Sequence, residues 1–385
     1  MLKRNKILIY NDILSGHNLE YIHHLHEGAC ENKGIDFIFA VPNKFKDVKD
    51  KLIWKESANV KFHFLSDHDI KLTGNLVMQS YKKSRIVRKI ALKYSVDEVF
   101  FIVLMGFLPV ISFFLPHKIK ISGIIYLIYL YRWKSSPLIL KIFDCLKYLI
   151  LSKGRNFKNI FILNDKSAPV YLNKKFKTTK FVYLPDPYLA IDKNKVFNIR
   201  KMKNIPNENI VYLHFGALAS QKGTLEILNA IEILNSSDLR DKCFIFAGKI
   251  NKDIKDEFYK KYNKLKDKVQ LIVFDEFCEY SFFGSLCLSS DYILLPYKRT
   301  SQSSGIIGYG AQFNIPVIVP NSGLLGKMVR KNNLGYLIET GTDEKIADFI
   351  KNKSAKNYYK NNETCYINEH NTSQFIQSVF SKLIK

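Results

Sequence analysis

The stretch from Asp291 to Asn321, DYILLPYKRTSQSSGIIGYGAQFNIPVIVPN, gathers side chains suited to holding an anion. Lys298 and Arg299 supply charge, Gln302, Ser303 and Ser304 supply hydrogen-bond donors, and all five stand just ahead of Gly305. The pattern predicts a strand at Ile293 to Leu295, a short helix from Gly305 to Phe313 opened by a serine cap, and a second strand from Pro316 to Val319. A helix N-terminus carries roughly half a positive charge, and each hydrogen bond to a charged oxygen contributes about 1.5–3 kcal/mol. A phosphate or diphosphate suits such a place. Serine capping and solvated loop cations also occur without any ligand, so the stretch gains meaning from the rest of the chain.

Other chemistry-bearing groups recur after apolar runs. Ile210 to Phe215 leads into GALASQKGTLEILNAIEIL, where Gly216 and Lys222-Gly223 precede a helix with Leu225, Leu228, Ile231 and Leu234 in register; Cys243 to Ala247 leads into Gly248-Lys249. Near the start, Ile7 to Tyr10 leads into a turn with Gly16 and His17, then a helix carrying Glu20, with Leu19, Ile22, Leu25 and Ala29 on one face. A strand feeding a glycine turn and a helix places the turn at the carboxyl edge of a parallel sheet, where α/β proteins bind ligands. His23, His24 and His26 raise the thought of zinc. His23 and His26 are not the usual i, i+4 pair, and the nearby carboxylates fit a solvated helix face, so no metal site is expected. Asp67-His68-Asp69 has the D-x-D form of some metal-dependent sugar transferases, but three residues fit an ordinary loop as well.

The elements that must carry these residues fill two α/β domains, since 385 residues exceed one ordinary core and 47% of them are hydrophobic. The expected division is 1–188 for the first domain, ended by PDPY, where Pro185 and Pro187 flanking Asp186 suit a connector, 189–208 for a linker, 209–360 for the second, and 361–385 for a helical tail that can pack back on the first domain. Phe37 to Val41, Val60 to Leu65, Ile160 to Asn164 and Phe181 to Leu184 read as further first-domain strands, with a polar-faced helix in KDVKDKLIWKE; Val269 to Phe274 belongs to the second. After Gly335 the chain reads as helical and polar. Val99 to His117 has no Asp, Glu, Lys or Arg, yet Gly106 and Pro109 interrupt it, so strand, buried helix, strand is preferred to a membrane span.

Net charge is +24, and residues 1–190 hold 31 Lys and Arg against 15 Asp and Glu. Such an excess favours anionic partners. Aromatic and basic residues mingle from Tyr126 to Lys158, around Arg132, Lys134, Lys141 and Lys147, which suits a helix lying on an anionic membrane surface and equally an amphipathic helix covering a sheet. No nucleic-acid reader motif is present. The six cysteines form no C-x-x-C pair, which fits a reducing compartment without structural zinc, and the N-terminus reads as a first strand, not a signal peptide.

The order Gly216, Lys222-Gly223, FAGK, LLPY, Pro316-Val-Ile and Gly323 resembles the GT-B glycosyltransferases of the bacterial "group 1", or family four, class, strongly from Asn209 to Ile338 and loosely before. The resemblance implies two Rossmann-like domains facing each other across a cleft. The first receives the acceptor, and the second holds a nucleotide-sugar whose diphosphate meets a loop lysine and a helix N-terminus. Lys222 matches the diphosphate lysine, Gly216 and Gly248 fall in the donor loops, and Gly16 matches the first glycine loop. Two departures stand out. Ala217 occupies the place of the family's usual Arg, and its Glu, seven residues, Glu pattern falls on Ser301 and Tyr309. Arg299 is expected to replace the cation, and Gln302 with Ser303 or Ser304 the carboxylate's hydrogen bonds. Tyr129 or Tyr131 stands near the family's usual first-domain His, and His17 and Glu20 are the nearest titratable catalytic candidates.

The resemblance therefore implies a metal-independent, cofactor-free transferase, and the basic first half with its aromatic stretch from Tyr126 to Lys158 adds the expectation of a peripheral position on the cytoplasmic face of the inner membrane. The transferase would move sugar, with retention, to a growing surface glycan such as lipopolysaccharide or capsule, or to its lipid carrier. The missing acids leave a second reading, a non-catalytic GT-B subunit that binds glycan or nucleotide or supports a partner transferase.

Overall fold

The computed structural model describes residues 4–14, 18–49, 54–126, 129–131, 133, 136–352 and 363–384. Two compact units emerge, one of residues 1–186 with 372–385, the other of 187–371. The stretch 189–208 is part of the second unit: Ile191 N–H donates to the Gln312 side chain at 3.0 Å, and Ile199 N–H to Ser289 Oγ at 2.9 Å. The C-terminal tail divides, with 363–371 in the second unit and the helix Thr372–Leu383 in the first.

The first unit is built on a parallel sheet of β1 (Lys6–Tyr10), β2 (Asp36–Pro42), β3 (Val60–Leu65), β4 (Glu98–Phe101), β5 (Lys120–Ile125), β6 (Phe157–Leu163) and β7 (Phe181–Leu184), in the order β3-β2-β1-β4-β5-β6-β7. Strands β1, β2 and β4 are buried along almost their whole length, as a parallel sheet covered on both faces requires. On one face the helix Asn18–Glu31 packs against the returning helix Thr372–Leu383. Gly28 is needed there, because a Cβ at that position would lie 2.4 Å from Phe380. Among the described residues the helix expected in KDVKDKLIWKE reduces to Phe45–Val48; Trp54 instead lays its ring edge-on to Phe45 and His26. The uncharged run 99–117 forms the end of β4, a 3-10 turn at Met105–Phe107 and a short helix at Ile111–Phe114, and no helix among the described residues is long and apolar enough to cross a membrane.

The second unit repeats the plan with β8 (Ile210–Phe215), β9 (Lys242–Ala247), β10 (Gln270–Phe274), β11 (Tyr292–Leu294), β12 (Val317–Pro320) and β13 (Gly335–Ile338), ordered β10-β9-β8-β11-β12-β13. All pairings are parallel. Gly335 begins a strand rather than a helical tail: its neighbour is the Val317 backbone, so closely that a Cβ would lie 1.9 Å from the Val317 carbonyl oxygen. In both sheets the order reverses beside the first strand, between β1 and β4 and between β8 and β11. Doubly wound proteins bind ligands at this crevice.

Candidate functional site

Three loops meet at the carboxyl ends of β8, β9 and β11. Gly216 follows β8 with φ +97° and Gly248 follows β9 with φ +129°, conformations that side-chain-bearing residues rarely adopt. Gly248 also lies so near the first loop that a Cβ would come within 1.8 Å of the Gly216 carbonyl oxygen. Gly216 itself abuts the start of the helix Ile306–Phe313, with Ile306 Cδ1 at 3.3 Å from where its Cβ would be. Gly223, at φ +75°, ends a 3-10 turn at Ser220–Lys222 and presses on the Pro296 carbonyl beyond β11. The sequence thus packs backbone on backbone where an anionic ligand could approach the chain closely.

Lys222 projects from that turn. Its Nζ lies 3.9 Å above the centroid of the Tyr297 ring, a cation–π contact, and among the described residues no carboxylate is paired with it. Tyr297 OH in turn shares a hydrogen bond with Ser304 Oγ at 3.1 Å, and Ser304 Oγ accepts from Ile306 N–H at 3.3 Å. A chain of contacts therefore runs from Lys222 through Tyr297 and Ser304 to the N-terminus of the helix, whose N-cap is Gly305. Lys298 behaves differently. Its Nζ is 2.6 Å from Glu226 Oε1, in the first turn of the helix Thr224–Ile233, which neutralises it. Of the two lysines, Lys222 is the one whose charge no acid among the described residues already meets.

Beneath the loops sits His214, which is buried on β8. Its Nδ1 is 2.9 Å from the Leu294 carbonyl on β11 and its Nε2 is 3.0 Å from Thr224 Oγ1, at the first helical residue after Gly223. A carbonyl can only accept, so Nδ1 carries the proton and Nε2 accepts from the threonine hydroxyl. Burial lowers the His214 pKa to about 4, keeping the ring neutral, while the Leu294 bond opposes that shift and the Lys222 charge adds to it. One side chain thereby ties β8, β11 and the Lys222 turn together. Sequence reasoning overlooked it; the available signal was a single histidine inside the otherwise apolar run of β8.

The remaining expected donor residues are less engaged. Arg299 and Gln302 are exposed, Ser303 is half-buried, and among the described residues no hydrogen bond or ion pair links them to Lys222. Neighbouring Thr300 is drawn toward the next helix, accepting from Leu325 N–H at 3.1 Å and sharing a hydrogen bond with Ser322 Oγ at 3.0 Å. Tyr309, where the resemblance expects an acid, is buried, with its ring 5.6 Å from Phe215 and 5.8 Å from Phe283.

In the first unit, Gly16 and His17 lie outside the described residues. Glu20 is buried in the first turn of the helix Asn18–Glu31. Tyr129 and Tyr131 fall in a 3-10 turn after β5, and Tyr131 OH donates to the Asp165 carboxylate; burial, then that bond, raises its pKa. A polar group that sequence reasoning missed lies at the ends of β6 and β7. Tyr21 OH donates to Asp186 Oδ1, Asn164 Nδ2 to Asp186 Oδ2 at 3.3 Å, and Asp186 N–H to Asn164 Oδ1 at 2.8 Å. Asp186 had the look of a connector residue between two prolines. Asp67 and Asp69 are accounted for locally, since Ser66 and Asp69 form a capping box and Asp67 pairs with Lys71 at 3.0 Å.

No protein-family model matches the sequence, and no curated protein does. Solved structures match it in fold. HepE from Anabaena, solved in complex with UDP and glucose, is 12% identical, with 99% of this chain and 100% of that chain covered at a TM-score of 0.68. A glycosyltransferase from Rickettsia africae is 15% identical over 98% of this chain and 97% of its own, with a TM-score of 0.67. WaaG, a glycosyltransferase involved in lipopolysaccharide biosynthesis, is 13% identical over 97% of each chain, with a TM-score of 0.66. The chain has the GT-B fold, two Rossmann-like domains each built on a doubly wound parallel sheet.

Proposed function

We propose that the protein is a glycosyltransferase that moves a sugar from a nucleotide-sugar donor to a growing bacterial surface glycan or its lipid carrier, with retention and without a metal. The observation that carries this reading is Lys222, with no acid partner among the described residues, at the switch point of the second sheet and joined through Tyr297 and Ser304 to a helix N-terminus. HepE, of the same fold, has been solved with UDP and with UDP-glucose, which supports a nucleotide diphosphate as ligand here. In the transfer, the bond from the anomeric carbon to the diphosphate breaks and a bond to an acceptor oxygen forms. Lys222 and the helix N-terminus stabilise the charge on the leaving diphosphate, and a diphosphate oxygen takes the acceptor's proton. Glu20 stands as the first unit's remaining titratable candidate.

The acceptor side of the proposal rests on the first unit's surface. The helix Leu138–Lys153 leaves Leu138, Ile139, Ile142, Phe143, Leu146 and Leu149 exposed, interleaved with Lys141 and Lys147. Right-handed crossovers put the helix Leu76–Tyr94, with Leu76, Val77 and Met78 exposed, on the same face of its sheet. Apolar groups among lysines match a cytoplasmic leaflet of acidic lipid that would also present a lipid-linked acceptor.

Release of nucleoside diphosphate from a panel of sugar nucleotides tests the activity. Slow release by the wild-type chain, lost in Lys222→Ala, is the expected result. A folded chain that releases none from any donor, even with lipid-linked acceptors, would support the non-catalytic reading left open by Ser301 and Tyr309.

A further inference from the structure

The helix Asn18–Glu31 carries three histidines with different surroundings. His26 is buried among aromatic rings, stacked on Phe62 at 5.7 Å and edge-on to Trp54 at 5.1 Å. His23 and His24 instead converge on Glu27. His23 Nδ1 and His24 Nδ1 each lie 3.8 Å from the same oxygen, Glu27 Oε2, and one ligand atom of each of the three residues lies within 4.8 Å of the others. The helix face expected from sequence to be solvated is therefore largely enclosed, with Trp54 edge-on to His23 at 4.9 Å and Phe375 edge-on to His24 at 6.1 Å.

Two magnitudes favour an ion over a simple hydrogen-bonded cluster. A hydrogen bond from imidazole to carboxylate brings nitrogen and oxygen to about 2.8 Å, whereas a tetrahedral ion with bonds of about 2.0–2.1 Å holds its ligand atoms about 3.4 Å apart. The observed spacing is nearer the second. The other observation is His24 itself, whose side chain is 5% exposed and whose buried Nδ1 has no hydrogen-bond partner among the described residues, although it faces Glu27. A buried acceptor or donor left unmet costs about 1–3 kcal/mol, which a bound ion would remove.

We propose that His23, His24 and Glu27 form a site for one divalent ion of the zinc class, bound by two imidazole nitrogens and one carboxylate oxygen, with a fourth position open to water. The nitrogen-rich set disfavours magnesium and calcium, which take oxygen ligands. Glu27, 30% exposed, gives the ion its entry path. None of these residues belongs to the proposed diphosphate site, so the ion stands apart from the metal-independent transfer.

The test uses metal-free full-length chain without an added histidine tag, titrated with Co2+ and followed by visible absorption. The expected result is saturation at one equivalent with the bands of four-coordinate Co2+, bleached by Zn2+. His24→Gln and Glu27→Gln should each weaken uptake at least tenfold, since even losing an outer partner of a ligand costs about 10–100-fold, and exposed His68→Ala should leave it unchanged. If His24→Gln does not fold, Glu27→Gln decides alone. No uptake by the wild-type chain, or equal uptake by Glu27→Gln, overturns the site whether or not sugar nucleotides are turned over.

Discussion

Lys222 and Lys298 show how the same residue type takes opposite roles a few ångströms of backbone apart. Lys298 N–H bonds the Gln221 carbonyl at 3.1 Å, so the two loops are adjacent, yet Glu226 claims the Lys298 ammonium and an aromatic face supports Lys222. A cation–π contact contributes about 0.5–2 kcal/mol and leaves the charge available to an anion. Glycine geometry is the second feature at this scale. Gly248→Ala would push a methyl group into the Gly216 carbonyl at a positive φ and should lower stability by at least about 2 kcal/mol. Gly34→Ala, with nothing within 4 Å of the added carbon, should stay within about 0.5 kcal/mol of wild type. Denaturant unfolding of the two variants checks the contrast; equal midpoints would show that the loops do not press on each other.

His214 gives a residue-level prediction in pH. Its folded-state pKa, about 4, lies below the usual 6.5, so above pH 6.5 neither state binds the proton and nothing is lost. As pH falls from 6.5 toward 4, the unfolded chain takes up a proton that the folded chain refuses, and stability drops by up to about 3 kcal/mol. The variant His214→Gln should be less stable at pH 7, through the lost bonds to Leu294 and Thr224, but should decline less steeply between pH 6.5 and 4.5. An unchanged slope would mean that His214 is protonated in the folded protein.

At the scale of elements, the strands that bind the site were legible because buried parallel strands are short apolar runs, and β8, β9, β11 and β12 all show that pattern. The strand β13 was not: Gly335-Tyr336-Leu337-Ile338 is brief, and it pairs only because Gly335 can approach the Val317 backbone. The glycine turns and Lys222 were legible from their spacing after strands. The pairing of Lys298 with Glu226, the bonds of His214 and the meeting of Tyr21 with Asp186, 165 positions away, depend on tertiary packing that no local pattern reports. The returning C-terminal helix offers a test at this scale. Gly28→Val would place side-chain atoms where Phe380 and Ile376 now sit, and should displace the helix Thr372–Leu383 from the helix Asn18–Glu31. Limited proteolysis should then cut near residue 372 much faster than in wild type, and equal protection would contradict the packing.

For the whole molecule, the proposed function puts a diphosphate in the second unit and acidic lipid against the first. With residues 1–190 carrying a net +16, the chain should sediment with acidic vesicles and leave them as salt rises, because screening acts over about 10 Å at 0.1 M. Lys141→Gln with Lys147→Gln should lower the salt needed for release without changing diphosphate release in solution. Equal binding to neutral and acidic vesicles would contradict an electrostatic dock. The most direct test of the central claim is a calorimetric titration of UDP into the wild-type chain and into Lys222→Ala. Saturable binding is expected, weakened in Lys222→Ala by about 1.5–3 kcal/mol, roughly 10-fold to 150-fold. Identical UDP affinity in the two proteins would remove Lys222 from the site and with it the basis for the proposed transfer.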